Sequence, residues 1–143
     1  MSHAMTHCRF LLLALATLVL ARPALAEELV ADFSGSSNTT TREFDVDGPW
    51  LLDWRLDADF DQLVALHVWL VDADTGMAVG RVLRRENRGN GTKLFDEGGR
   101  YRLRISATLA RWRMRIKQLT PEEAERYTPR QPPSAVPRIN ERD

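Results

Sequence analysis

Cationic residues alternate with apolar residues in two neighbouring runs of the chain, residues 100–108 and 111–117. Alternate side chains of an extended strand project to opposite faces, so each run predicts a half-buried strand with one apolar and one cationic face. The short break between the runs favours a hairpin, which would place all of these cations on one outer face. Guanidinium forks bind phosphate, sulfate and carboxylate groups. The candidate ligand-binding residues are therefore Arg102, Arg104, Arg111, Arg113, Arg115 and Lys117.

The charge distribution allows two interpretations of this predicted arginine-lined face. The chain has a net charge of zero, but acidic residues dominate up to residue 80 and arginines dominate from there to residue 117. In one interpretation the chain is a binding module whose cationic face takes an anionic envelope ligand, such as an acidic glycan, or an acidic protein. In the other, neighbouring strands neutralise the face, because like charges directly opposite one another destabilise a sheet. The candidate counter-charges are Glu43, Asp45, Asp53 and Asp57.

The second interpretation would make the chain a structural or interaction protein of the cell envelope. Nucleic acid is not an expected partner under either interpretation, because the arginines are not interleaved with exposed aromatic side chains.

Three aspartates at alternate positions, Asp57, Asp59 and Asp61, form a candidate calcium segment. Carboxylate oxygens on a turn are the ligands that a hard cation prefers. The segment lacks the glycine and the distal glutamate of a typical calcium loop, and a solvent-exposed acidic turn explains the same residues. A calcium-stabilised module is thus an alternative prediction, and no other metal or cofactor is predicted.

Histidine and cysteine are scarce after residue 26, which limits the catalytic chemistry of the chain. His67 is the one histidine in that part, and the single cysteine, Cys8, precedes it. A Ser-His-Asp or Cys-His arrangement would need His67, which lies between apolar neighbours in the middle of an apolar segment. A zinc site of histidine and cysteine lacks ligands for the same reason. We therefore expect no enzymatic activity.

His67 also lies two residues before Trp69, on the mixed face of the apolar segment 63–72. The two side chains could form a small recognition patch. The alternative is that the first strand, or a short helix near Tyr127, covers them, because a histidine among apolar neighbours is usually a structural residue. The pattern favours the covered arrangement.

Apolar residues recur with period two along most of the chain between residues 29 and 119. The clearest set is Trp50, Leu52, Trp54 and Leu56. The segment 63–72 is apolar on both faces and rich in β-branched residues, which favours a central strand. Turn residues separate short strands at roughly ten-residue spacing, which predicts an all-β antiparallel sandwich or jelly roll of about eight strands. Further expected segments are strands at 39–46, 77–85 and 92–95, with a loop at 86–91.

Several short motifs resemble those of small secreted β-sandwich modules. They are Gly48-Pro49-Trp50-Leu51-Leu52-Asp53-Trp54, Asp74-Thr75-Gly76, Gly98-Gly99-Arg100-Tyr101-Arg102-Leu103 and the closing Trp112-x-Met114-x-Ile116. The chain is similar in these motifs to bacterial pre-peptidase C-terminal and CUB-like jelly rolls. The resemblance covers residues 29–119 and implies the same fold and a non-catalytic role. A substrate-targeting role does not follow from the resemblance, because this sequence lacks an attached protease.

The two ends of the chain differ in composition from the rest. A basic start, the uncharged apolar run 10–21 and the small residues Ala24 and Ala26 are typical of a secretory signal peptide over residues 1–26. The apolar run is shorter than the roughly 20 residues of a membrane-spanning helix. We therefore predict a periplasmic or secreted protein that has no transmembrane segment after cleavage.

The remaining domain boundaries follow from the turn and helix signals. Residues 27–119 are expected to form the β-sandwich domain. Thr120, Pro121 and Glu123 match a helical capping box, which predicts a short helix over residues 120–128. The proline-rich residues 129–143 are polar and predict a disordered tail.

Overall fold

A computed structural model of the chain describes residues 27–129. The predicted signal peptide, and all but the first residue of the predicted tail, lie outside the described residues. Within residues 27–129 the chain forms nine strands and one short helix. The strands are β1 (Glu28–Gly35), β2 (Thr39–Thr40), β3 (Phe44–Val46), β4 (Trp50–Asp57), β5 (Ala65–Asp72), β6 (Ala78–Arg85), β7 (Gly89–Phe95), β8 (Gly99–Thr108) and β9 (Arg111–Gln118). The helix is α1 (Pro121–Ala124).

The strands form two antiparallel sheets, which confirms the predicted all-β sandwich. The four-stranded sheet has the order β1-β9-β4-β7. The five-stranded sheet has the order β2-β8-β5-β6, and β3 also pairs with β8. Within residues 27–129, no helix is both long enough and apolar enough to cross a membrane.

One hydrophobic core between the two sheets holds the sandwich together. The predicted stripe of β4 is buried, since Trp50, Leu52, Trp54 and Leu56 are all at most 4% exposed. Val64, just before β5, and the even positions 66–70 of β5 are also buried, as the alternation predicts. From the arginine-rich strands, the apolar positions face this core while the cations alternate to the outside.

The predicted hairpin of β8 and β9 is wrong, because the two strands belong to different sheets. β8 pairs with β5, β2 and β3, whereas β9 pairs with β1 and β4. The connection between them passes Leu109, which has a φ of 49°, and the buried Ala110, and so crosses from one sheet to the other. The six predicted cations are therefore divided between the two outer faces of the sandwich.

Two other predicted segments also differ from the structure. Residues 39–46 form two short strands rather than one, because the side chain of Thr41 between them accepts a hydrogen bond from the backbone N–H of Leu103 at 3.0 Å. The predicted loop 86–91 is shorter, because β7 begins at Gly89. Gly89 and Gly91, which the sequence assigned to the loop, instead belong to β7, and this strand packs closely against Trp54.

The predicted capping box at the start of α1 is confirmed. Thr120 Oγ1 accepts from the backbone N–H of Glu123, and the Glu123 carboxylate accepts from the backbone N–H of Thr120. This short segment packs Leu119 and Ala124 against Leu51. Leu51 lies on the side of β4 opposite the main core, so the segment covers one end of the outer face of the four-stranded sheet.

Candidate functional site

The four cations of β9 lie on the outer face of the four-stranded sheet, between the acidic residues of β1 and β4. In the register of the sheet, Arg115 lies opposite Asp32 on one side and Asp53 on the other. Every one of the four cations has a carboxylate within 4.0 Å. The pairs are Arg111 with Asp59 (2.7 Å) and Asp57 (3.5 Å), Arg113 with Asp32, Arg115 with Asp53 (3.6 Å), and Lys117 with Glu27 (2.9 Å) and Asp53 (3.4 Å).

At Asp32 and Glu27, hydrogen bonds to the carboxylate favour its charged form. Hydrogen bonds from the Arg113 guanidinium lower the pKa of Asp32. A hydrogen bond from the Tyr127 hydroxyl and a second from Lys117 lower the pKa of Glu27. Since each cation of β9 has a carboxylate within 4.0 Å, this half of the predicted cationic face is paired within the molecule.

The two cations of β8 lie on the other side of the sandwich, on the outer face of the five-stranded sheet. Arg102 has a carboxylate oxygen of Glu43 at 3.6 Å. Arg104 has no carboxylate within 4.0 Å among residues 27–129. Its guanidinium carbon instead lies 5.5 Å from the ring centroid of Trp69, close enough for a cation–π contact.

Trp69 occupies the middle of this outer face and is only partly buried. Its register partners are Arg104 on β8 and Arg81 on β6. Arg81 is exposed and, like Arg104, forms no ion pair with any other described residue. The His67 ring lies edge-on to the Trp69 ring, with centroids 5.7 Å apart. We call the row of Arg81, Trp69 and Arg104, together with His67, the Trp69 patch.

The expectation that other elements cover His67 and Trp69 is wrong. The first strand pairs with β9 in the opposite sheet. The short helix also packs on that opposite sheet, against Leu51. Both candidate covers are therefore on the far side of the sandwich, and the Trp69 patch faces outward.

The three aspartates of the candidate calcium segment form ion pairs with two arginines. Asp57 and Asp59 both lie within 3.5 Å of Arg111, and Asp61 lies 2.6 Å from Arg88. The pKa of Asp57 is lowered, mainly because its carboxylate accepts a hydrogen bond from the backbone N–H of Ala58. Across residues 27–129, no group of three or more histidine, cysteine or acidic side chains is arranged to hold a metal ion.

Sequence reasoning missed Arg81 as a site residue. β6 contains two irregularities in its pairing with β5, at Val68/Trp69 and at Leu70/Val71. Each inserts an extra residue on β6, so the period of two that would place Arg81 beside Trp69 is broken. The sequence signal that could have identified Arg81 is its spacing from Arg84, since the two arginines are three residues apart on one predicted strand.

Comparisons of the chain with models of known protein families and with curated proteins found no match. The resemblance to pre-peptidase C-terminal and CUB-like modules therefore stays a prediction.

Proposed function

We propose that this protein is an exported, non-catalytic binding module that takes an anionic ligand on the outer face of its five-stranded sheet. The observation that carries the proposal is the Trp69 patch, in which Arg81 and Arg104 flank Trp69 and lack carboxylate partners among residues 27–129. The predicted leader places such a ligand in the periplasm or outside the cell, where acidic glycans and acidic envelope proteins occur. The resemblance to small secreted jelly-roll modules agrees with a binding role.

The contrast between the two outer faces supports this assignment. Exposed ion pairs contribute only about 0–1 kcal/mol each, so pairing on the β9 face is a modest stabilising device. Arg81 and Arg104 lie on the two strands that flank β5, one on each side of Trp69. A ligand bound over Trp69 with anionic groups on both sides would contact both guanidinium groups. The arginines of the patch are therefore better explained by an anionic ligand than by ion pairing within the folded protein.

The flatness of the patch favours an extended ligand. The two arginines lie on β6 and β8, on either side of the β5 residue Trp69, so contacts would be spread along a chain of anionic groups. Arginine forks recognise carboxylate and sulfate groups, and an indole packs against the apolar face of a sugar ring. An acidic polysaccharide combines these two features, and we take it as the preferred ligand class.

Binding to model polyanions tests the proposal. The purified protein should bind polygalacturonate and dextran sulfate but not neutral dextran, and binding should weaken as salt rises, because the Debye length falls from about 8 Å at physiological ionic strength to about 3 Å at 1 M. Arg104→Gln should reduce the affinity by about tenfold. Equal binding to neutral dextran, or polyanion binding that Arg104→Gln does not change, would contradict the proposal.

A second candidate function is that of a structural or interaction protein of the envelope, in which the charges serve the fold. The complete pairing of the β9 cations favours it. This candidate predicts that polyanions bind neither the unmodified protein nor Arg104→Gln, and that the substitution changes only the melting temperature. The same titration, followed by a thermal scan of both proteins, separates the two functions.

A further inference from the structure

We propose that a cavity at the β6–β7 connection is a second anion-binding site, specific for a compact molecule that carries one carboxylate or phosphate group. The cavity has a volume of about 480 Å³ and lies where the chain crosses from the five-stranded to the four-stranded sheet. It is lined by Trp54, Arg84, Arg85, Glu86, Asn87, Arg88, Gly89 and Asn90.

The lining of the cavity is cationic, and one of its arginines is unpaired. Arg84 is bound to Glu86 at 2.8 Å, and Arg88 is bound to Asp61 at 2.6 Å. Arg85 has no carboxylate within 4.0 Å in the part of the chain that the structure describes. The lining thus includes three arginines, of which two are ion-paired and one, Arg85, is available to an incoming oxyanion.

The Arg85 side chain is held in place before any ligand arrives. Its guanidinium carbon lies 4.8 Å from the ring centroid of Trp54, whose indole is only 4% exposed. The backbone of β7 packs against the same indole, since a Cβ added at Gly91 would lie 2.9 Å from the Trp54 ring. A guanidinium placed against an indole keeps its N–H groups available at its edge, and a side chain fixed in this way loses little entropy on binding.

The dimensions and the polar lining of the cavity define the ligand class. Small-molecule sites commonly have volumes of about 300–1,000 Å³, and this cavity is at the lower end of that range. The side-chain amides of Asn87 and Asn90 can both donate and accept hydrogen bonds, as sugar hydroxyls require. A monosaccharide with one acidic group, either a sugar acid or a sugar phosphate, provides the anion for Arg85 and the hydroxyls for the two asparagines.

This site is separate from the Trp69 patch, so the two proposals can fail independently. The experiment is a titration of the ¹⁵N-labelled protein with glucuronate, glucose 6-phosphate and glucose. We expect glucuronate or glucose 6-phosphate, but not glucose, to shift the indole N–H signal of Trp54 and the amide signals of Gly89 and Asn90. The tighter of the two anions identifies whether the natural group is a carboxylate or a phosphate.

Three variants test the role of Arg85 in this titration. Arg85→Gln should weaken binding at least tenfold, and Arg85→Lys should also weaken it, because an ammonium group keeps the charge but lacks the planar fork. The matched control is Arg42→Gln, since Arg42 also lies over an aromatic ring, 5.6 Å from the centroid of Phe33, and lines no part of this cavity. If neither anion shifts these signals, or if Arg42→Gln weakens binding as much as Arg85→Gln does, the proposal is wrong.

Discussion

Trp54 is a buried residue whose indole is tightly packed beside the β6–β7 connection. One side of its buried indole is covered by the Arg85 guanidinium, and the backbone of β7 packs against it at Gly91. Because the indole is confined in this way, a methyl group added at Gly91 would force the indole or the strand to shift. The absence of a side chain at Gly91 is therefore a packing requirement.

This arrangement predicts that Gly91→Ala destabilises the protein. The added Cβ would lie 2.9 Å from the Trp54 ring, closer than real Cβ contacts, so the indole or the strand must shift. We expect a loss of about 1–3 kcal/mol in the free energy of unfolding, as for other overpacked sites, measured by urea denaturation. Gly80→Ala on β6 is the control, because a Cβ there meets no atom within 4 Å. Equal stability of the two variants would show that Trp54 is not confined as described.

At the scale of elements, Glu27 connects the beginning and the end of the sandwich. Its carboxylate accepts a hydrogen bond from the Tyr127 hydroxyl beyond α1 and forms an ion pair with Lys117 at the end of β9. The same pair raises the pKa of Lys117, mainly through the hydrogen bond to Glu27. Three separate elements therefore depend on one ionised carboxylate.

The stability of this connection should depend on pH. The folded protein lowers the pKa of Glu27 below its ordinary value of 4.5, chiefly through the Tyr127 hydrogen bond. The contribution of the carboxylate is therefore complete above that value and is lost as the pH falls through the lower, folded pKa. We expect Glu27→Gln to lower the melting temperature at neutral pH, with the difference from the unmodified protein shrinking as the pH falls below 4.5.

A thermal scan across this pH range checks the prediction. The exposed neighbour Glu28, which forms no ion pair with other described residues, supplies the control variant Glu28→Gln. A difference between Glu27→Gln and the unmodified protein that stays constant with pH, or an equal effect of Glu28→Gln, would contradict the role assigned to Glu27.

At the scale of elements, the sequence predicts the strands and their buried faces but not how the strands pair. Period-two alternation identifies β4, β5, β8 and β9 and the faces that they bury, because side-chain direction is a local property of a strand. It does not identify the partner of each strand. β8 and β9 are adjacent in the chain and share one pattern, yet they lie in opposite sheets, because each buries its apolar face from its own side of the core.

The same limit applied to the candidate sites. Arg104 was predicted from alternation, but its position beside Trp69 depends on the pairing of β8 with β5. Arg81 was missed because irregular pairing in β6 disrupts the alternation, and Arg85 because its interaction with Trp54 joins residues of different sheets. Residue types were thus readable from the sequence, whereas the juxtapositions that give a site required the tertiary structure.

At the scale of the whole molecule, the net charge of zero conceals two outer faces with different electrostatics. The face of the four-stranded sheet pairs each β9 cation with carboxylates of neighbouring strands or of Glu27. The face of the five-stranded sheet leaves Arg81 and Arg104 without such partners among residues 27–129. The cations of β9 are thus all paired on one face, whereas the other face has two arginines on either side of Trp69 without carboxylate partners among residues 27–129, and we assign ligand binding to that second face.

A comparison of two double variants in polyanion binding tests this assignment most directly. Arg81→Gln/Arg104→Gln and Arg113→Gln/Arg115→Gln remove the same charge from the protein but from opposite faces. Isothermal titration with polygalacturonate should show that the first variant loses most of its affinity while the second retains it. If both variants lose affinity equally, binding follows net charge alone, and the account of the Trp69 patch as the binding site is wrong.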